Sequence, residues 1–498
     1  MDLALLVRVI PAAFGGVTWG ILGGALPGIS PSITMALLLP FTYGMDPIMA
    51  VVLLASTYVG AEYGGSIPAI LIRTPGTNAA AATVIDGYAM KEQGRAGEAL
   101  GISLYSGFIG GLFGLIVLVL LTERLASVAL AFTPPAYFAL GVLGLSVIAA
   151  LSRESLVKGL MAGVLGLMIG TIGTDPVTGS TRFTFDFPEL LSGVPAILVM
   201  VGVFAVSELL AQAVERDSVP APSERARIRM PNAAMWRRIA LPQAIGSVIG
   251  TLEGIVPGGG GTVSSFLAYN EARRWSRHKE EFGHGSPEGV AAPEAANNTV
   301  ACTALVPMLS LGIPGSNSAA VLLGGFLIHG LIPGPMLFVQ HGDVVHGLYT
   351  GLFVANIAMV IVGYLIMGPC IWLVSRPKPY LTAFIFALVV SGVYAIEASL
   401  FHVGLALGFG LLGYVMRAAG VPVLPMVLGV VLGFMVESNY RRALVLSGGD
   451  HRTFIEDPIA AGLLVVSVLF VIGSVVRHLK DRNSDSGTTG AVAGDGQA

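Results

Sequence analysis

The sequence predicts an all-α polytopic membrane protein with about ten to twelve transmembrane helices, re-entrant hairpins and an inverted structural repeat. Hydrophobic residues make up 54% of the 498 residues and charged residues only 11%, whereas soluble proteins are about one quarter charged. No Lys or Arg occurs between Arg8 and Arg73, as expected for apolar spans joined by short loops. Two motifs also recur in the same order in both halves of the chain.

The individual spans follow from the lengths of the apolar runs. A helix needs about 20 mostly apolar residues to cross a bilayer. Uninterrupted candidates are 101–121, 136–151, 156–173, 194–213, 346–374, 380–397, 400–416, 421–436 and 457–476. Four further apolar regions are interrupted by Gly and Pro: 12–44, 48–90, 239–270 and 300–340.

A polar segment divides the chain near its middle. Residues 215–238 contain prolines and six arginines, which predicts a linker on the cytoplasmic side of the membrane. The sequence is therefore predicted to comprise a first membrane repeat (1–214), this linker, a second membrane repeat (239–477) and a disordered cytoplasmic tail (478–498).

Two sequence echoes indicate an internal duplication. The first pairs Gly20-x6-Pro27-Gly28 with Gly250-x6-Pro257-Gly258. In the second, the stretch 74–80 (TPGTNAA) recurs as 313–319 (IPGSNSA). Because both pairs keep their order at nearly the same separation, duplication explains them better than chance does.

The charge pattern predicts that the two copies are inverted. Residues 239–272 lie between two basic loops, 216–238 and 273–279, and are too few for two spans of about 20 residues each. A hairpin that turns inside the membrane at Pro257-Gly258 fits this spacing. The matching hairpin turns at Pro27-Gly28 and leaves into a segment without positive charge, so the positive-inside rule places the two on opposite sides.

The interrupted apolar runs are the best candidates for a binding site. Irregular backbone inside a bilayer is tolerated only where it lines a wet cavity or is buried in protein. A helix that starts after such a break presents free N–H groups and a positive dipole end, which suit a carboxylate. We therefore predict that two breaks of this kind, one from each half, hold the substrate. The predicted residues are Ser66, Arg73, Thr74, Gly76, Thr77 and Asn78 in the first half, and Gly312, Gly315, Ser316, Asn317 and Ser318 in the second.

Both breaks also have a purely structural interpretation, because Ser, Thr and Asn are ordinary helix caps. Arg73 has three interpretations. An arginine at membrane depth costs about 2.5–3.5 kcal/mol on insertion scales and so faces a cavity or a partner. It could contact a substrate carboxylate directly, pair with Glu62 or Asp86, or extend to the membrane interface.

A third constellation is Glu294 followed by Asn297 and Asn298. An acid and two amides leading into an apolar run could bind a coupling cation or orient the substrate, and Glu62 could be their loose counterpart in the first half. The alternative is a helix start at which Glu294 interacts with the helix dipole.

Several functions find no support in the sequence. The net charge of −3 does not indicate nucleic-acid binding. The run of glycines at 258–261 lacks the Lys-Ser/Thr of a phosphate loop, so an ion gradient is a better energy source than ATP. The histidines lack metal-ligand spacing, and no cofactor is expected apart from Na⁺ or H⁺ as the coupling ion. A membrane-embedded enzyme would need acid pairs or His–Asp clusters that are not found, and a channel is more often assembled from several shorter chains.

The sequence resembles the large membrane subunit of the tripartite tricarboxylate transporters, the TctA family, through most of its length. The motifs that carry the resemblance occur in order: GxLPGxxP (24–31), YGGSIPAIL (63–71), TPGxxAAAATxxDGY (74–88), EQGRAGEALG (92–101), GVAAPEAANN (289–298), LGIPGSNSAA (311–320) and HGLIPGPMLF (329–338).

The resemblance implies a non-enzymatic, multi-pass protein of the bacterial inner membrane. It would import small organic anions, of tricarboxylate or dicarboxylate type, by symport with Na⁺ or H⁺. Its partners would be a small four-span membrane subunit and a periplasmic solute-binding protein. Two positions depart from the usual family pattern: Arg73 stands where Asn is more common, and Asn78 where Pro is more common. Both adjoin the predicted site and leave the identity of the organic acid open.

Overall fold

The structure, a computed structural model, describes residues 3–151, 156–175, 178–214, 227–256, 260–374 and 378–489. These residues are almost entirely helical. The helices up to residue 214 are α1 (Leu3–Gly24), α2 (Pro31–Leu38), α3 (Pro47–Gly64), α4 (Ser66–Ile72), α5 (Ala81–Glu92), α6 (Ala96–Ala129), α7 (Pro134–Leu151), α8 (Leu156–Gly170), α9 (Ala196–Met200) and α10 (Ser207–Val214).

The rest of the chain continues as helix. The remaining α-helices are α11 (Ala233–Ile255), α12 (Gly260–Trp275), α13 (Pro287–Thr303), α14 (Leu305–Leu311), α15 (Asn317–Ile328), α16 (Pro335–Gln340), α17 (Gly342–Leu365), α18 (Met367–Val374), α19 (Lys378–Glu397), α20 (Leu400–Ala418), α21 (Leu424–Leu446), α22 (Thr453–Glu456) and α23 (Pro458–Thr489). The other elements are 3₁₀ turns at Leu39–Thr42, Pro188–Leu190 and Lys279–Glu281, a π-helix at Val201–Val206, and the antiparallel strands β1 (Gly173–Thr174) and β2 (Thr181–Arg182).

The prediction of an all-α polytopic membrane protein is confirmed. Within the described ranges, seven helical segments are long and apolar enough to cross a membrane. They are Leu3–Gly24, Pro47–Ile72, Ala96–Ala129, Ala196–Val214, Gly342–Leu365, Leu400–Ala418 and Pro458–Val476. Five shorter apolar helices accompany them. The count of ten to twelve spans, the membrane depth of the hairpins and the inverted orientation stay predictions.

The described chain forms two compact units, one of 1–131 with 195–414 and the other of 132–194 with 415–498. Each unit therefore combines segments that are distant in sequence. The first unit contains α1–α6 together with α9–α19, and so it contains every residue predicted to bind substrate or ion.

The first unit contains the same helix pair twice. Glycines at four-residue spacing on α1 lie directly against the backbone of α3, and glycines at the same spacing on α11 lie against α13. Such small-residue stripes let two membrane helices approach closely. The register agrees too, because Gly20 faces the Thr57 carbonyl and Gly250 faces the Ala296 carbonyl. The glycines are Gly16, Gly20 and Gly24 on α1, and Gly246, Gly250 and Gly254 on α11.

The helices that follow each pair cross over to the other pair. α6 packs along α13, whereas α17 packs against α1 and α3. The glycines of α6 make this contact, and Gly110 lies against the Ala295 backbone. The two halves are therefore interleaved within one unit.

In the second unit, charged side chains join the β1–β2 hairpin to α21. Arg182 pairs with Glu437 at 2.7 Å, and Arg441 pairs with the buried Asp175 at 2.9 Å. Glu437 and Arg441 lie on α21, just after the end of the predicted membrane span 421–436. α21 instead continues to Leu446, because the ion pairs satisfy the charges on its last turns.

The predicted linker and tail differ in part from the structure. Residues 215–226 and 490–498 lie outside the described residues. α11 begins at Ala233, inside the predicted linker 215–238, because Asn232 caps it by accepting from the Met235 N–H at 2.9 Å. Residues 478–489, predicted as part of a disordered tail, continue α23 as helix to Thr489. Extending a formed helix requires no new nucleation.

Candidate functional site

Each predicted break begins with a residue in the left-handed conformation. α4 ends at Arg73, with φ 58°, and α14 ends at Gly312, with φ 75°. Gly adopts this conformation without strain, whereas for most other residues it costs roughly 1–2 kcal/mol. The first break thus places a strained arginine where the second has a glycine.

The backbone then closes the same turn in both halves. The N–H of Gly76 donates to the carbonyl of Gly65 at 3.0 Å, and the N–H of Gly315 donates to the carbonyl of Ala304 at 3.2 Å. In each case the acceptor is the single residue that separates the preceding long helix from the short one. The break in each half is therefore a specific folded loop.

A buried hydroxyl organises the start of the next helix in each half. Thr77 Oγ1 accepts from the N–H of Ala80 at 3.3 Å, and Ser316 Oγ accepts from the N–H of Ala319 at 3.1 Å. The second helix, α15, starts immediately at Asn317, whereas the first, α5, starts only at Ala81 after a turn. The prediction of a helix start after each break is thus confirmed, with a later start in the first half.

Each loop has one accessible asparagine between buried neighbours. Asn78 and Asn317 are exposed, whereas the residues on both sides of each are buried. Thr77 and Ser316 retain only 3% and 7% of their accessible surface. The loops therefore present amide side chains and hide their capping hydroxyls.

Side chains from each half reach into the other. On α3, the Tyr58 hydroxyl lies 3.0 Å from Ser316 Oγ in the second loop. On α13, Asn297 Nδ2 donates to the carbonyl of Glu62 at 3.4 Å. Asn297 Oδ1 and the Ala79 side chain both lie beside Gly261 at the start of α12. Tyr58 and Glu62 are one helical turn apart, about 6 Å, so α3 links the two loop regions.

Several buried oxygens in this region have no hydrogen-bond partner, and two of them belong to the Glu62–Asn297 contact. These two are Glu62 Oε2 and Asn297 Oδ1, on residues only 5% and 1% exposed. A buried polar atom without a partner costs free energy. Both atoms belong to residues that we predicted as ion-coupling candidates.

Glu294, the other predicted acid, is fully engaged. Its Oε2 accepts from Ser103 Oγ at 2.9 Å, and its Oε1 accepts from Thr83 Oγ1. Ser103 in turn shares a 2.6 Å hydrogen bond with Ser66. Glu294 is the eighth residue of α13 and lies beyond its first turn, so the alternative of a helix-start residue is wrong. Glu294 instead joins α13 to α4, α5 and α6.

Asp86 ties α5 to the loop before α13. Its Oδ1 accepts from the N–H groups of Gly283, Gly285 and Ser286 at 2.8–2.9 Å. Three backbone donors on one oxygen are a strong, charge-assisted arrangement. This contact fixes the helix after the first loop to the helix that carries Glu294 and Asn297.

Arg73 pairs with neither Glu62 nor Asp86. Its side chain is exposed and its guanidinium lies 5.8 Å from the ring centroid of Tyr88 on α5, within cation–π range. The exposed guanidinium is therefore accessible to a substrate carboxylate or to the membrane interface.

Replacing Arg73 by Asn is expected to shift the preference among organic acids without abolishing transport. Asn tolerates the left-handed conformation better than Arg, so the loop should be at least as stable, while a positive charge beside it is lost. Competition of unlabelled di- and tricarboxylates against a labelled substrate measures this preference. An unchanged competition profile would argue against a role of Arg73 in recognition.

The remaining predicted residues surround the two loops. Ser66 is buried and donates to the Tyr63 carbonyl at 2.7 Å. Thr74 is half-buried, and its hydroxyl donates to the Ile72 carbonyl. Ser318 is buried and within hydrogen-bonding reach of Tyr58. Asn298 faces away from the loops, because its Nδ2 contacts the sulfur of Met359 on α17.

The first predicted hairpin turn is present. The indole Nε1 of Trp19 on α1 donates to the Thr34 carbonyl on α2 at 3.0 Å, so the chain reverses between them. Gly28 adopts φ +83° in this turn, next to Pro27. The second predicted turn, Pro257-Gly258, lies outside the described residues, although α11 and α12 on either side of it pack together.

Sequence reasoning missed Tyr58, Thr83 and Ser103. Tyr58 could have been identified from the repeat. Tyr58 and Asn297 are 239 positions apart, as are Gly76 and Gly315. Each of these two residues is the polar side chain that reaches from one half into the loop region of the other.

Comparisons with known proteins identify a family and two relatives. A family model described as "Tripartite tricarboxylate transporter TctA family" matches residues 10–428. The chain is similar to an uncharacterized 52.8 kDa protein in the TAR-I ttuC' 3' region of Agrobacterium vitis, with 38% identity over 94% of this chain and 93% of that protein. It is also similar to an uncharacterized protein in the TAR-II ttuC' 3' region, with 36% identity over 47% of this chain and 96% of that protein. No solved structure matches.

Proposed function

The chain belongs to the tripartite tricarboxylate transporter TctA family, and from this premise we propose that it is the large membrane subunit of a secondary transporter that imports small organic acids. A periplasmic solute-binding protein would deliver the solute, and a small four-span subunit would complete the complex in the bacterial inner membrane. An ion gradient, of Na⁺ or H⁺, would drive uptake.

The observation that carries this proposal is the pair of equivalent loops. Each loop has the same left-handed start, the same glycine closure and the same hydroxyl cap, and each exposes a single asparagine, Asn78 or Asn317. Helix starts with free N–H groups attract anions, and an amide side chain can donate two further hydrogen bonds. A solute with two or three carboxylates offers one acceptor group for each loop.

The arrangement also favours a carrier over a channel. The two loops come from one chain and are linked through α3, on which Tyr58 contacts Ser316. Such a site can hold one solute and be exposed alternately to the two sides, as in other transporters built from repeats. A channel would need an open path that passes both loops at once.

Uptake into proteoliposomes tests the proposal. The complex of this chain with its small subunit would be reconstituted and supplied with the cognate binding protein. Labelled di- and tricarboxylates would then be offered under an imposed Na⁺ or pH gradient. We expect saturable accumulation that collapses when the gradient is dissipated. Flux that rises linearly with concentration and ignores the gradient would contradict a carrier.

A further inference from the structure

We infer that Glu62 and Asn297 together bind the coupling ion, that the ion is a proton, and that its arrival is what allows an anionic solute to occupy the two loops. This inference rests on the proposed function and assigns its energy coupling to one pair of side chains.

Among the buried acids, Glu62 lies near both loops. It lies on α3 one turn after Tyr58, whose hydroxyl contacts the second loop. Its own carbonyl accepts from Asn297, which lies beside Ala79 of the first loop. A negative charge at this position would lie one helical turn from the Tyr58–Ser316 contact and beside Asn297, and so close to both places where a carboxylate is proposed to bind. Like charges in a poorly hydrated site repel strongly, so the solute and an ionised Glu62 oppose each other.

A proton satisfies both unpaired oxygens at once. Glu62 Oε2 and Asn297 Oδ1 are buried acceptors without donors, and the two side chains lie within hydrogen-bonding reach of each other. Protonation converts a carboxylate oxygen from an acceptor into a donor, and Asn297 Oδ1 is the acceptor that lacks one. A sodium ion would require several more oxygen ligands around this pair, whereas a proton needs only the two oxygens that lack a donor.

Few other charges act on Glu62. The acid placed nearest to it from another helix is Glu294 of α13, which is held by Thr83 and Ser103. The charges of α1 and the start of α3 form the Arg8–Asp46 pair, about 24 Å away along α3. Asp343 and His346 lie at the same distant end, because Gly347 of α17 packs on Ile48. α2, α4 and α15 carry no charged residue, and Glu98 at the start of α6 pairs with Arg95.

The Glu62–Asn297 pair makes proton binding favour solute binding. With Glu62 ionised, the site repels the solute. With Glu62 protonated, the carboxyl group donates to Asn297 and the loops can accept an anion. Ion and solute therefore favour each other's binding, and by linkage each raises the affinity for the other by the same factor.

Glu62→Gln tests this inference in reconstituted complex, because Gln has the shape of a protonated Glu but cannot release a proton. Two assays on the same vesicles separate binding from coupling. In the first, labelled solute exchanges with unlabelled solute at equal concentrations on both sides. In the second, an imposed pH gradient drives accumulation. We expect exchange to stay within about two-fold of wild type while accumulation falls at least about ten-fold.

The control is Glu271→Gln, an acid on α12 that is partly exposed and pairs with Arg274. It should behave as wild type in both assays. If Glu62→Gln abolishes exchange as well, Glu62→Asp decides the matter, because Asp restores a group that can be protonated. Accumulation driven by the pH gradient should then return, at least in part, and its absence would overturn the inference.

Two other outcomes overturn it directly. One is accumulation by Glu62→Gln under a pH gradient at the wild-type level. The other is wild-type uptake driven by a Na⁺ gradient at constant pH and unaffected by a pH gradient. Neither outcome contradicts the proposed function. Failure of the proposed function would instead appear as an absence of solute exchange in the wild-type complex.

Discussion

Replacing Asn317 by Ala is expected to lower uptake at least about ten-fold, since a lost hydrogen bond to a charged ligand costs about 1.5–3 kcal/mol. Asn317 is the accessible side chain of the second loop and forms the first residue of α15. The change removes the amide and leaves the Ser316 cap in place. Asn78→Ala should have the same effect in the first loop. Initial rates of uptake at subsaturating solute measure both.

The matched control is Asn270→Ala, which removes an exposed asparagine from α12 outside either loop. It should leave the uptake rate unchanged. All three variants should insert and elute from a sizing column as wild type does, because none of these amides is buried. Wild-type uptake by both Asn78→Ala and Asn317→Ala would remove the case for paired loops.

Replacing Gly76 or Gly315 by Ala is expected to destabilise the folded protein by about 3 kcal/mol, the upper part of the range for overpacking. A Cβ at Gly76 would overlap the carbonyl oxygen of Gly24, and a Cβ at Gly315 would overlap that of Gly254. Both obstacles are backbone atoms, so no side chain can move aside. Thermal unfolding of the detergent-purified protein, followed with the yield of folded material, measures the loss.

Gly404→Ala and Gly408→Ala are the controls for this effect. Both glycines lie within α20 and have no other atom within 4 Å of an added Cβ. Ala is favoured over Gly in a helix by up to about 1 kcal/mol, so these variants should be unchanged or slightly more stable. Equal stability of Gly76→Ala and wild type would show that α1 does not approach the first loop as closely as described.

The sequence was sufficient to locate the two breaks. Pro75 and Pro314, each followed by Gly, interrupt apolar runs at points where both residues disfavour a continuous helix. Because the two motifs match, their equivalence could be predicted without coordinates. The conformation of Arg73 could not, since Arg has no preference for positive φ. The one indication of a positive φ at Arg73 was the glycine, Gly312, at the equivalent position of the second half.

The roles of the two acids could not be separated from the sequence. Glu62 and Glu294 both lie in apolar surroundings, and both fit an ion site equally well on that ground. The structure distinguishes them through hydroxyls distant in sequence, because Thr83 and Ser103 reach Glu294 while Glu62 Oε2 has no donor. Contacts between residues about 200 positions apart leave no local pattern.

The crossing of α6 over to α13 has a consequence for biosynthesis. The small-residue face of α6, with Gly107, Gly110 and Gly114, is covered by α13, which the ribosome makes only after more than a hundred further residues. Until then the surface of α6 that α13 will cover stays without its partner helix in the newly inserted first half. Ser103 also lacks its hydrogen-bond acceptor, the Glu294 carboxylate. Assembly must therefore finish late, when the second half reaches the bilayer, and a chain interrupted before α13 would be left for quality-control proteases.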